Sequence, residues 1–202
     1  MTQDLDKEKI PAKERILSSS LKLFVQQGYF NTNIPDISKL SQCSVGSIYH
    51  HFVNKEEIAR TLHERGIKLF REALLKGISD ASDTKDIVRK LIVSFLNFAE
   101  EHESYSRYLW LSRHVEFIND KILPPTTVGY DELGRKLSKT LVLAQKNNEI
   151  QSSNAEIIWN STFGMPLSFI RDWLDGYTRK SSSEVANTIA DRCWEAIKGQ
   201  VN

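Results

Sequence analysis

The sequence predicts an all-α protein of about nine helices, a smaller three-helix N-terminal domain followed by a larger helical one. Two observations predict it. Apolar residues recur every three or four positions in segment after segment, while the alternation of a β-strand never persists. Those segments are also punctuated as helices are, with Asn, Asp or Ser ahead of them and Gly, Asn or Pro at their ends. Composition agrees: 40% hydrophobic and 26% charged over 202 residues is ordinary for a globular chain and enough for one or two domains with a core.

Taken in order, residues 1–10 are mixed in charge and read as a frayed arm. Pro11 opens a helix that Gly28 ends, with Ile16/Leu17, Leu21 and Phe24/Val25 on one stripe. Asn33 caps a second, short helix whose opening turn contains Pro35 and whose Ile34, Ile37 and Leu40 face one side. Ser41-Gln42-Cys43 makes a tight turn, and Ser44 caps a third helix in which Ile48 and Phe52 point inward. Asn54 caps a fourth, with Glu57 three residues on as a capping box. This helix runs to about Ile78, roughly 35 Å at 1.5 Å per residue. Gly66 in its middle reads either as a hinge or as a point of close packing.

Asp83 caps the next helix, which ends near Glu103 after the stripe Ile87, Leu91, Ile92, Phe95, Leu96 and Phe98. Tyr105 to Ile118 interleaves aromatics with arginines, and reads as core with a solvated edge or as a ligand-cavity wall. Pro124-Pro125 interrupts, and a helix from about Thr126 to Asn148 carries Leu133, Leu137, Leu141 and Leu143. Two last helices, about Asn154–Tyr177 and Ser183–Gln200, are apolar on more than one side, notably at Trp159, Phe169, Trp173 and Trp194. A second apolar stripe calls for a second partner. Pro166 should bend the first of the two.

Other classes find little support. Cys43 and Cys193 match no metal spacing and read as small buried residues in a reducing cytosol. His102 among Glu100, Glu101 and Glu103 lacks ligand spacing and reads as a solvated helix end, so no metal or other cofactor is expected. None of the five histidines sits in a catalytic motif, and the chain reads as no enzyme. Ile157 to Ile170, the longest run free of charged residues and histidine, is too short to span a bilayer, and the charged N-terminus is no signal peptide; a cytoplasmic protein without membrane partners is expected. Net charge is +1, and residues 1–65 hold nine Lys/Arg against eight Asp/Glu, so any attraction for nucleic acid must be patterned rather than bulk.

The pattern lies between Asn33 and Lys55. The outward face of the third helix carries Val45, Gly46, Ser47, Tyr49 and His50, small residues first. A helix so thin at its N-terminus can bring its backbone deep into a DNA major groove. Lys55 sits in the first turn of the next helix, where free N–H groups and the helix dipole favour an anion such as a phosphate.

Asp36-Ile37-Ser38, the run Cys43-Ser44-Val45-Gly46-Ser47-Ile48-Tyr49-His50-His51-Phe52 and Asn54-Lys55-Glu56-Glu57-Ile58 resemble the DNA-binding domain of the TetR family of bacterial transcriptional regulators. The close match covers roughly residues 11 to 60; beyond it only length and helical layout are similar. Two departures stand out: Gln42 takes the place of the usual turn glycine, and Pro35 that of a base-reading arginine found in some members.

The resemblance implies a helix-turn-helix DNA-binding domain over residues 1–57 and a helical effector-binding and dimerisation domain over 58–202. It implies a ligand-responsive repressor that binds a palindromic double-stranded operator as a homodimer, paired through the last two helices. Ser44, Ser47 and His50 are expected near base edges, Gly46 and Val45 on the groove-facing surface, and Tyr49 and Lys55 on phosphate. Asn33 is expected to touch phosphate while capping; for His51 a phosphate contact and a packed, hydrogen-bonded ring weigh equally. Candidate effector-binding residues are Phe95, Trp110, His114, Trp159 and Phe163, each with core packing as its alternative, and they favour an apolar or aromatic effector over a sugar phosphate. The rival reading is an interaction adaptor of the same fold that has lost specific DNA binding, for which Pro35 and the nearly neutral N-terminal charge speak.

Overall fold

The computed structural model describes residues 10–118, 131–151 and 153–199, with Val115 and Ala155 by backbone alone. The expected N-terminal arm up to Lys9, the Pro124-Pro125 interruption and the start of the helix expected from Thr126 lie outside the described residues. Nine α-helices are found among those described: α1 Ala12–Gln27, α2 Ile34–Ser41, α3 Val45–His51, α4 Lys55–Gly77, α5 Thr84–Glu101, α6 Glu103–Leu111, α7 Glu132–Lys146, α8 Ala155–Leu174 and α9 Ser182–Ile197. A short 3-10 turn follows α6 at His114–Glu116.

The helices begin and end where local chemistry directs them. The backbone N–H groups of the opening turns find side-chain oxygens at Asn33, Ser44, Asp83, Asp131, Asn154 and Ser181. At α4 the expected box is half shifted: Asn54 accepts from Glu57 N at 2.8 Å, but the Glu57 carboxylate reaches Val53 N, one residue before the cap. Gly28 closes α1 at φ 82°, a left-handed value open to glycine at no steric cost.

The chain divides into two compact units. The first takes the chain up to Gly66 together with the segment that starts at Arg107. Its core is Ile16, Leu17, Phe24, Ile37, Ile48, Phe52, Ile58 and Leu62, all buried, which are the apolar stripes of α1 to α4 brought face to face. Tyr108 is fully buried and donates its hydroxyl to the Ala59 carbonyl at 2.9 Å. Arg65 makes two bonds to the Glu14 carboxylate, at 2.6 and 2.8 Å, tying α4 to α1.

The second unit comprises Ile67–Ser106 and the helices α7 to α9. Within it α5 packs on α8 and α9, and α8 on α9. Phe70, Phe95 and Phe98 form an aromatic centre, with Phe70 ring centroids 5.0 and 5.3 Å from the other two. α4 and α5 approach closely at Gly77, where a Cβ would stand 2.9 Å from that of Ser94. Arg71 pairs with the Asp131 carboxylate, the same side chain that caps α7. Pro166 lies inside α8 and removes one ladder N–H there.

Candidate nucleic-acid interface

The interface is built on two caps and one strained turn. Asn33 accepts from Asp36 N at 3.0 Å while Asp36 accepts from Asn33 N at 3.1 Å, which fixes the entry to α2. Gln42 then adopts φ 55°, ψ 35°, so the left-handed turn is kept without glycine. Ser38 holds the turn by donating to Cys43 O at 2.7 Å, and Cys43 is buried with its sulfur 3.3 Å from Arg15 Nη2. Cys43 is thus an anchored core residue. Ser44 caps α3, accepting from Ser47 N at 3.1 Å.

One face of α3 is now committed inward, with Ile48 and Phe52 at 0% and 2% exposure. The other carries the residues singled out by the sequence. Ser44, Gly46 and His50 are exposed, Val45 and Tyr49 are 41% and 53% exposed, and Ser47 and His51 are half-buried. A Cβ on Gly46 would meet nothing nearer than 4.0 Å, so packing within the protein does not require glycine there. Asn33 is exposed with its carbonyl oxygen engaged in the cap.

Lys55 is placed differently from a free cation. Its ammonium donates to Tyr29 O at 2.8 Å and Thr32 O at 2.7 Å and lies 4.1 Å from the centre of the Tyr29 ring. Burial holds its pKa below the ordinary lysine value. Two of its three donors serve to bind the α1–α2 connection to α4.

Residues 16–62 match the sequence profile described as "Bacterial regulatory proteins, tetR family". IcaR of Staphylococcus epidermidis, a negative transcriptional regulator of the biofilm operon icaADBC, is 27% identical over 183 residues, 89% of each chain. Residues 16–62 are thus a TetR-family DNA-binding domain. UidR of Escherichia coli, another helix-turn-helix transcriptional regulator, is 30% identical over 78 residues, 37% of this chain and 40% of its own. A solved TetR-family regulator from Marinobacter aquaeolei shares the fold with a TM-score of 0.76 at 15% identity, over 99% of this chain and all of the other. The chain is a DNA-binding transcriptional regulator like these relatives, and α2, its turn and α3 are its helix-turn-helix.

The second unit of this regulator holds a cavity of about 160 Å³. α5 supplies Val88 and Leu91, α7 supplies Leu137 and Leu141, and α8 supplies Trp159 and Phe163, stacked on each other at 4.2 Å. Ile150 and Ile197 add to the wall, and Thr84, Ser138, Thr140 and Thr162 bring hydroxyls to it. Phe95 is behind Phe163, ring centroids 5.8 Å apart, and fully buried. Trp110 and His114 belong to the first unit and are not in this wall. His114 packs there against His63 and Tyr108, at 4.6 and 4.7 Å between ring centroids. Burial pushes the imidazoles down, His63 to about 4 and His114 to about 3, so both are neutral near pH 7. The five candidate effector residues are therefore not one cluster. What sequence reading missed is the wall contributed by α7, Ile150 and Ile197. Their apolar character was visible, but an unfilled volume leaves no mark on any single residue. Cys193 is fully buried and its thiol is pushed up to about 11, so it stays protonated and inert. Among the described residues no helix is long and apolar enough to cross a membrane.

Proposed function

We propose that this regulator is a ligand-responsive repressor that binds a palindromic operator as a homodimer. The observation that carries the reading is α3. Its inward face is spent on Ile48 and Phe52, while Ser44, Val45, Gly46, Tyr49 and His50 stand in solvent on a capped, backbone-lean helix. Ser44, Ser47 and His50 read base edges, and Gly46 and Val45 permit close approach. Tyr49, Asn33 and the remaining Lys55 donor hold phosphate, and His51 serves as phosphate contact or as packed support. Phosphate contacts set the register and base contacts select the sequence. Residues 1–57 act as the DNA-binding part and 58–202 as the effector-binding and dimerisation part.

Pairing through α8 and α9 is supported by apolar surface left over after folding: Ile157 is 59% and Met165 44% exposed, and Trp159, Phe169, Trp173 and Trp194 are only half-buried. Two recognition helices one turn of DNA apart, about 34–36 Å, then match a palindrome. That IcaR is a negative regulator supports repression. The effector is a small apolar or aromatic molecule, and the protein works in the cytoplasm without metal, other cofactor or catalysis.

The test is selection of genomic DNA fragments by the purified protein, followed by footprinting. A protected palindrome is expected, with affinity falling as salt rises. Retention of no fragment at low salt would remove the repressor reading and favour an adaptor.

A further inference from the structure

We propose that the cavity among α5, α7 and α8 is a binding site for an uncharged, single-ring molecule carrying one hydrogen-bond acceptor. The assignment deepens the ligand-responsive reading above and depends on it for any regulatory consequence.

Size comes first. An apolar cavity of about 150 Å³ lined by leucine, isoleucine and phenylalanine takes up benzene. The space here is about 160 Å³ and its wall is of the same kind, with Leu91, Leu141, Ile158 and Phe163 among its members. Charge comes second. Among the described residues the wall holds no charged side chain, so a carboxylate or phosphate entering it loses its hydration and meets no counter-charge.

The wall's hydrogen-bond capacity then narrows the ligand further. Thr162 donates its hydroxyl to Ile158 O at 2.7 Å, and the Thr84 hydroxyl is engaged with Glu149. Ser138 and Thr140 also line the space, with hydroxyls that can either donate or accept; the Trp159 indole N–H differs, being donor-only, buried and without an acceptor. Buried donors in folded proteins are nearly always paired. With the indole turned so that Nε1 opens to the space, a ligand oxygen supplies the missing acceptor, while the ligand ring lies against Trp159 and Phe163. No wall residue comes from α4 or α6, so the site is confined to the helices of the C-terminal unit.

The experiment uses the full chain and three probes of similar size: acetophenone, ethylbenzene and benzoate. The chain has four tryptophans, so its indole N–H resonances are few, and Trp159→Phe assigns one of them. Saturable binding of acetophenone that shifts the Trp159 signal is expected, with benzoate at least tenfold weaker. Trp159→Phe should reduce the preference for acetophenone over ethylbenzene about fivefold. Leu137→Trp, at a half-buried wall position, should fill the space and abolish binding of both while leaving the helical circular dichroism intact. Equal binding of benzoate, a preference unchanged in Trp159→Phe, or undiminished binding in Leu137→Trp would each overturn the assignment. Release from operator DNA is measured separately. Binding at Trp159 without release sustains the site and removes its regulatory role; release by a compound that never perturbs Trp159 likewise removes that role and leaves the regulator reading intact.

Discussion

Gln42 and Lys55 are single residues on which the DNA-binding unit turns. A side chain with a Cβ at φ 55° is held in the left-handed region against steric preference. Gln42→Gly is expected to raise stability by about 1 kcal/mol, read as a higher urea midpoint with unchanged slope. Lys55 anchors two carbonyls, so its removal acts on folding before it acts on DNA. Lys55→Ala should lower stability by about 2 kcal/mol. Operator affinity, measured where the variant is still folded, should fall alike for all sequences. His50 is exposed and makes no comparable internal anchor beyond its ring contact with His51. His50→Ala should therefore alter preference among operator variants rather than stability; equal losses on every operator would reduce it to a phosphate contact.

Between elements, the close approach of α4 and α5 and the free faces of α8 and α9 have opposite consequences. Gly77 leaves no room for a methyl group, because Ser94 Cβ would lie 2.9 Å away and cannot swing aside as its hydroxyl can. Gly77→Ala should destabilise by about 1–3 kcal/mol, visible in thermal melts. Trp173 stands half-buried on a helix with unused apolar surface. Trp173→Arg should leave the fold intact and weaken dimerisation at least tenfold in sedimentation analysis; unchanged self-association would take α8 out of the interface.

Over the molecule as a whole, the acid response should follow from His63 and His114. In the unfolded chain both imidazoles take up protons near pH 6.5. In the folded one burial delays this to about 4 and about 3. As pH falls through 6.5 the unfolded state binds more protons, so the stability present above that pH is progressively lost, about 4 kcal/mol by pH 5 and on the order of 6 kcal/mol by pH 4. Urea midpoints at pH 7.5 and 5 measure it. His114→Phe, which keeps the aromatic contacts with Tyr108 and Phe117, should flatten the dependence.

Much of this was legible from the chain alone. Asn33, Ser44, Asp83 and Gly28 mark helix ends because a cap or a left-handed closure acts within four residues, and Ile48 and Phe52 reveal the inward face of α3 by spacing. The Ser44–Phe52 run and the Asn54-Lys55 pair then made the family recognisable. Tertiary structure decided what depends on residues far apart: that the Lys55 ammonium is bound to Tyr29 and Thr32 carbonyls, that Trp110 and His114 lie in a different unit from Trp159 and Phe163, and that space remains among Leu91, Leu141 and Phe163. Periodicity says which side of a helix is buried; only the assembled helices determine how completely their side chains fill the volume between them.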